Sequence, residues 1–119
     1  MLEFIRKKDE CENLIIFVHG FIGGKSTWVK DGGKMPFIDL LLTDEEIENN
    51  FDIALFIYET KLLELFPKVS AMTNLLRRKQ NRTNLPIEDI SKLLTTEMKY
   101  KCKAYTNIIF VGHSMGGLV

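Results

Sequence analysis

Three continuous apolar runs along the chain predict three buried β-strands. The runs cover residues 14–18, 53–58 and 108–111, and residues that favour turns lie close to their ends. β-Branched and aromatic residues are frequent in all three, and polar residues do not alternate with the apolar ones. Strands that are apolar on both faces are typical of a parallel sheet covered by helices on either side.

The intervals between these runs predict helices. Pro36 precedes a short amphipathic segment, and Thr43 with Glu46 three residues later fits a capping box for a further turn. After Pro86, apolar residues recur at helical spacing at Ile87, Ile90, Leu93, Leu94, Met98 and Cys102. A weaker pattern between residues 61 and 83 is compatible with one more helix. Strands alternating with helices predict an α/β fold, a parallel β-sheet flanked by helices.

The composition is that of an ordinary globular domain, with 45% apolar and 27% charged residues among 119. Sixteen basic and 16 acidic side chains cancel, which removes any overall charge argument for binding nucleic acid. No apolar stretch approaches the roughly 20 residues needed to cross a bilayer, and the amino terminus lacks a signal-peptide core. We therefore expect a soluble, cytoplasmic protein. The basic run at residues 77–82 fits a solvated loop, and contact with phosphate or lipid head groups, hence peripheral membrane contact, stays open.

The remaining polar residues point to no metal and no cofactor. Cys11 and Cys102 are too few for a disulfide framework and lack partners at metal-ligand spacing, so two reduced thiols are expected. Asp44 and Asp52 are expected to be turn or capping residues. Tyr58 ends the second predicted strand, where it fits either a surface turn or the border of a substrate site.

The strongest chemical signal is the sequence G-H-S-M-G at residues 112–116, directly after the third strand. A serine on a sharp turn between strand and helix adopts a strained conformation, and the close passage of the backbone excludes side chains two positions to either side. The spacing of Gly112, Ser114 and Gly116 meets this requirement. The pattern predicts a nucleophilic serine whose hydroxyl projects above the edge of the sheet.

A second motif follows the first strand, where the chain reads H-G-F-I-G-G at residues 19–24. With the serine motif, it makes the sequence resemble the lipase and esterase branch of the α/β-hydrolase superfamily, and within that branch the serine hydrolases related to inositol deacylases and similar lipid-modifying esterases. The resemblance implies hydrolysis of a small-molecule or lipid ester through an acyl-enzyme. Trp28, after this motif, is expected to pack beneath the loop.

The resemblance also implies roles for individual residues. Ser114 would be the nucleophile, and the backbone N–H groups of Phe21 and Met115 would form the oxyanion hole. The turns would be supported by His19, Gly20, Gly112, His113 and Gly116. In this fold the triad follows the order nucleophile, acid, base. Residues 1–119 are therefore expected to be the amino-terminal portion of a single α/β-hydrolase domain, whose acid and histidine lie beyond Val119, and to be nearly inert alone.

Two other interpretations stay open. Residues 20–26 resemble a degenerate nucleotide-binding loop, but only three residues separate its first glycine from the Gly-Lys pair, where a P-loop requires four. The chain also fits a catalytically silent binding or sensor module of a larger signalling protein. Nucleotide binding by the intact protein would favour the first interpretation, and the absence of a downstream acid and histidine would favour the second.

Overall fold

A computed structural model of the protein describes residues 1–20, 25, 28, 37–58 and 86–119. Its strands are β1 (Leu2–Arg6), β2 (Asn13–Val18), β3 (Phe51–Phe56) and β4 (Asn107–Gly112). Its α-helices are α1 (Phe37–Leu41), α2 (Glu45–Asn50) and α3 (Ile87–Lys101), and a short 3-10 helix, Ser114–Leu118, follows β4. None of the helices in these ranges is both long and apolar enough to cross a membrane.

The four strands form one sheet in the order β1-β3-β2-β4. β2 runs parallel to both of its neighbours, and each pairing keeps its register from end to end. Val18, the last residue of β2, lies opposite Phe56 of β3 and Gly112 of β4. The residues that follow these three strands therefore emerge side by side at one edge of the sheet.

The α/β architecture with a mostly parallel sheet is confirmed, together with the three strands expected from the apolar runs. β1 was missed. It pairs antiparallel with β3, so the sheet is mixed. Only Leu2 in β1 is fully buried, which explains why no continuous apolar run marks it. The second predicted strand also ends earlier than expected, at Phe56 rather than at residue 58.

The core has two layers, one on each face of the sheet, and the apolar runs supply both because successive strand residues point to opposite faces. One layer packs Leu14, Ile16, Val18, Ala54 and Phe56 against Ile90, Leu94 and Cys102. The other packs Ile15, Phe17, Ile53 and Leu55 against Ile38 and Trp28. β2 and β3 are therefore buried on both faces, as the sequence predicts.

β4 differs from the other two parallel strands because much of it is exposed. Ile109 and Phe110 are 47% and 49% exposed. A groove of about 500 Å³ lies beside the strand, lined by Leu94, Met98 and Val119 as well as Phe110. Within the part of the chain that the structure describes, no strand pairs with the outer edge of β4.

The helices largely follow the predictions. α3 buries Ile90 and Leu94 and begins after Pro86. The cap of α2, however, is Asp44 and not Thr43, because the Asp44 carboxylate accepts hydrogen bonds from the two backbone N–H groups at residues 46 and 47. The helix and the basic run predicted between residues 61 and 83 lie outside the described residues.

Asp52 is neither a turn nor a capping residue, which corrects the expectation from sequence. It lies in β3, fully buried, and its carboxylate accepts hydrogen bonds from the Lys8 backbone N–H at 2.8 Å and from the Tyr105 hydroxyl. Burial, with the Asp52 hydrogen bond, raises the pKa of Tyr105, so its hydroxyl stays a donor. Both thiols are free, with Cys102 buried and Cys11 partly exposed.

Candidate active site

Ser114 begins the turn that leaves the carboxyl end of β4. Its backbone φ is 55°, in the left-handed region that residues with a side chain rarely adopt. Holding a residue there costs of order 1–3 kcal/mol, and such strain persists only where the surrounding structure enforces it. Ser114 is exposed. The turn therefore presents this serine to solvent at the edge of the sheet.

The two glycines that flank the serine lie so close to other backbone atoms that neither position has room for a side chain. A Cβ at Gly112 would come within 2.8 Å of the Gly117 nitrogen. A Cβ at Gly116 would come within 2.3 Å of the Val18 carbonyl oxygen and 2.7 Å of the His19 carbonyl oxygen. Real Cβ atoms essentially never approach within 3.0 Å, so any side chain at either position forces the backbone apart.

The serine turn is joined to the end of β2. The His113 N–H donates a hydrogen bond to the Val18 carbonyl at 2.9 Å. A Cβ at Gly20 would lie 3.0 Å from both the Ser114 Cβ and the His113 carbonyl oxygen. The backbone of Gly20 is thus packed directly against the serine side chain, and the two sequence motifs meet at one place.

His19 is buried beneath this junction and both of its ring nitrogens are occupied. Nδ1 donates to the Gly20 carbonyl at 2.7 Å, and Nε2 accepts from the Tyr58 backbone N–H at 3.1 Å. Burial lowers the pKa of His19, and an accepting Nε2 must carry no proton. His19 is therefore neutral, and its ring has no nitrogen left to accept the serine proton.

His113 is exposed, and its ring meets the Trp28 ring edge to face at 6.1 Å. Trp28 itself is packed against Phe17, with ring centroids 5.0 Å apart, as expected for an aromatic residue in the core. Among the described residues no hydrogen bond joins the Ser114 hydroxyl to either histidine ring. The His113 ring therefore contacts Trp28 and not the Ser114 hydroxyl.

Of the two N–H groups expected to form the oxyanion hole, one is described. Met115 directly follows Ser114. The first backbone hydrogen bond of the 3-10 turn is donated by the Gly116 N–H to the His113 carbonyl, at 2.9 Å, and so does not involve Met115. Within the described ranges the Met115 N–H has no protein partner. Phe21 lies outside the described residues, as does most of the loop considered as a nucleotide-binding site.

Comparison with known protein families matches residues 12–119 to the model of the PGAP1-like alpha/beta domain. The match covers well over half of the chain and includes β2, β3, β4 and both motifs. The chain belongs to the PGAP1-like alpha/beta domain family. No curated protein and no solved structure shows significant similarity to it.

PGAP1-like domains are of the α/β-hydrolase type, which agrees with the sheet order and with the position of Ser114. In this domain the structure brings the predicted residues His19, Gly20, Ser114 and Gly116 together at one edge of the sheet. The backbone of His113 belongs to the serine turn, and the His113 ring contacts Trp28.

The sequence misplaced one residue of this site, Tyr58. Its ring is stacked on the His19 ring at 4.2 Å and 11°, and its hydroxyl donates to the His19 carbonyl oxygen. Tyr58 is therefore buried and is not a surface turn residue. His19 follows β2 by one residue and Tyr58 follows β3 by two, and these strands end opposite each other. The sequence of each apolar run alone does not reveal that alignment.

Proposed function

We propose that this protein is a serine esterase of the lipase type, with Ser114 as its nucleophile. One observation carries the proposal. Ser114 has a left-handed backbone at the carboxyl end of β4, and the Gly20 backbone is packed against its side chain. A strained, exposed serine on a tight turn after a strand, next to a second glycine turn, supports acyl transfer, because this is where α/β-hydrolases place their nucleophile. Family membership supports a hydrolase over a nucleotide-binding loop.

In the proposed reaction the Ser114 Oγ attacks the carbonyl carbon of the ester and gives its proton to a general base. The carbonyl oxygen becomes an oxyanion that accepts hydrogen bonds from the N–H groups of Met115 and Phe21. Collapse of this intermediate breaks the ester C–O bond, and the base returns the proton to the departing alcohol. Water then attacks the acyl-enzyme in the same way and releases the carboxylic acid.

The general base and the acid that orients it are proposed to lie outside residues 1–119. His19 is excluded as the base because both ring nitrogens have partners, and the His113 ring is directed to Trp28. The order nucleophile, acid, base also puts both groups after Ser114 in this fold. As substrates we propose small-molecule or lipid esters, in line with the resemblance to lipid-modifying esterases, and no metal or cofactor enters the reaction.

The test is covalent labelling of the natural full-length protein with a fluorophosphonate, together with hydrolysis of a short p-nitrophenyl ester. Labelling at Ser114 and turnover are both expected, and Ser114→Ala should abolish both because no acyl-enzyme can form. Ser91→Ala, a change on α3, is the control and should leave both intact. Labelling that persists in Ser114→Ala contradicts the proposal. A wild-type protein that is neither labelled nor active supports the silent binding module instead.

The assignment of Phe21 is tested by two substitutions that differ in the backbone. Phe21→Ala keeps the N–H group and should leave turnover largely intact. Phe21→Pro removes it, and loss of one oxyanion donor typically lowers the rate by about 10²–10³. A Pro variant that is folded, as judged by its circular dichroism, and turns over normally would show that another group binds the oxyanion.

A further inference from the structure

Tyr58 contacts His19 in three ways. The two rings are stacked at 4.2 Å, the Tyr58 hydroxyl donates to the His19 carbonyl, and the Tyr58 backbone N–H donates to His19 Nε2 at 3.1 Å. Tyr58 is only 6% exposed and His19 only 2%. The ring of His19 is therefore fixed in place, and its tautomer is fixed as well, since the bond to Nε2 leaves the proton on Nδ1.

The proton on Nδ1 forms a hydrogen bond with the next residue of the chain. His19 Nδ1 donates to the Gly20 carbonyl oxygen at 2.7 Å. Gly20 has no side chain to restrict its backbone. The bond from His19 thus restrains the orientation of the Gly20 carbonyl.

We propose that Tyr58 is a positioning residue for the Gly20 backbone beside the Ser114 nucleophile. It acts through His19: its ring and its backbone N–H hold the imidazole, its hydroxyl holds the His19 carbonyl, and the imidazole in turn holds the Gly20 carbonyl. The inference rests on the proposed function, because only a reaction at Ser114 makes turnover depend on where Gly20 lies. Gly20 lies against the Ser114 side chain, so a shift of the Gly20 backbone changes the site directly.

The first test is Tyr58→Phe in the natural full-length protein, with Tyr105→Phe as the matched control. Each change removes one tyrosine hydroxyl and its hydrogen bond and keeps the ring, but Tyr105 donates to Asp52, near the start of the strands and away from Ser114. Both variants should lose stability in urea to a similar extent. Only Tyr58→Phe should lower kcat for the p-nitrophenyl ester, by about 10-fold or more with KM little changed, because a displacement of the Gly20 backbone by a fraction of an ångström disturbs the geometry around the Ser114 nucleophile.

The second test separates the two bonds of the imidazole. In His19→Asn the side-chain amide lies two bonds from Cβ, as Nδ1 does, so it keeps a donor for the Gly20 carbonyl. In His19→Gln the amide lies three bonds from Cβ, as Nε2 does, so it keeps an acceptor for the Tyr58 N–H. If the role is positioning, Asn should retain more kcat than Gln at comparable stability. A role in packing alone predicts that kcat follows stability in both variants.

The outcomes of the inference and of the proposed function are distinct. Fluorophosphonate labelling of wild-type Ser114 establishes the reaction first, and its absence overturns both proposals. With wild-type labelling present, a Tyr58→Phe variant that has wild-type kcat overturns the positioning role and leaves the esterase intact. The same holds if Tyr105→Phe lowers kcat as much as Tyr58→Phe, because the effect is then general loss of stability.

Discussion

Replacing Gly116 by alanine should separate the serine turn from β2. The added Cβ would lie 2.3 Å from the Val18 carbonyl oxygen, whereas ordinary contact begins at 3.4 Å. Both partners are backbone, so neither can rotate away, and the two segments have to move apart by about 1 Å. That movement would lengthen the bond from the His113 N–H to the Val18 carbonyl, now 2.9 Å, beyond hydrogen-bond distance.

The cost follows from these two effects. Overpacking a tight site costs about 1–3 kcal/mol, and a buried carbonyl left without its donor costs about 1–3 kcal/mol more. We expect Gly116→Ala to destabilise the protein by about 2–5 kcal/mol after partial relaxation. It should also slow fluorophosphonate labelling, because the packing of Gly20 against Ser114 opens at the same time.

Gly117→Ala is the matched control, since a Cβ at Gly117 meets no atom within 4 Å and the residue belongs to the same 3-10 helix. Replacing glycine by alanine where the backbone allows it stabilises a protein by about 0.4–1 kcal/mol. Thermal unfolding of the natural full-length protein and the rate of labelling measure both effects. Equal melting temperatures and equal labelling rates for the two variants would refute the close approach of Gly116 to β2.

Three further changes test other parts of the structure. Burial lowers the pKa of His19 below its ordinary 6.5, so below that pH the unfolded chain binds a proton that the folded chain does not. The contribution of this group to stability should be constant above about pH 6.5 and fall as the pH drops below it. Urea midpoints measured at about pH 5.5 and 7.5 should therefore differ less in His19→Asn than in wild type. Asp52→Ala leaves the Lys8 N–H and the Tyr105 hydroxyl without their acceptor and should cost about 2–5 kcal/mol; an unchanged urea midpoint would contradict this. Residues 1–119 expressed alone should self-associate through the half-exposed β4, and Phe110→Lys should reduce that association in sedimentation experiments; a wild-type monomer with a sharp unfolding transition would count against it.

The sequence predicts most of the sheet because β2 and β3 are buried on both faces and therefore consist almost wholly of apolar residues. β1 was missed because a strand with only one fully buried residue carries no continuous apolar run. The capping residue of α2 was wrong for a related reason: Thr43 and Asp44 both fit a cap, and only the path of the backbone decides between them. Local pattern thus identifies buried segments and leaves their ends uncertain.

For the candidate site, the sequence predicts those residues that are required by the local turn of the backbone. Gly112 and Gly116 are needed because of the turn at Ser114, so their spacing is visible in the chain. The pairing of His19 with Tyr58 depends instead on two strands that are distant in sequence and end in register. A side chain whose role arises only from that register gives no signal in a single sequence.

The strand order has a consequence for synthesis of the protein on the ribosome. β2 lies between β3 and β4 in the sheet, yet it is made long before either: Ile15 pairs with Ile53 on one side and with Ile109 on the other. At about 5–20 residues per second, the second partner emerges roughly 5–20 s after β2 does. For that time a strand made almost entirely of apolar residues has one open edge outside the exit tunnel. A chaperone that binds extended apolar segments should therefore capture nascent chains from which β2 and β3 have emerged, and release them once β4 has emerged as well.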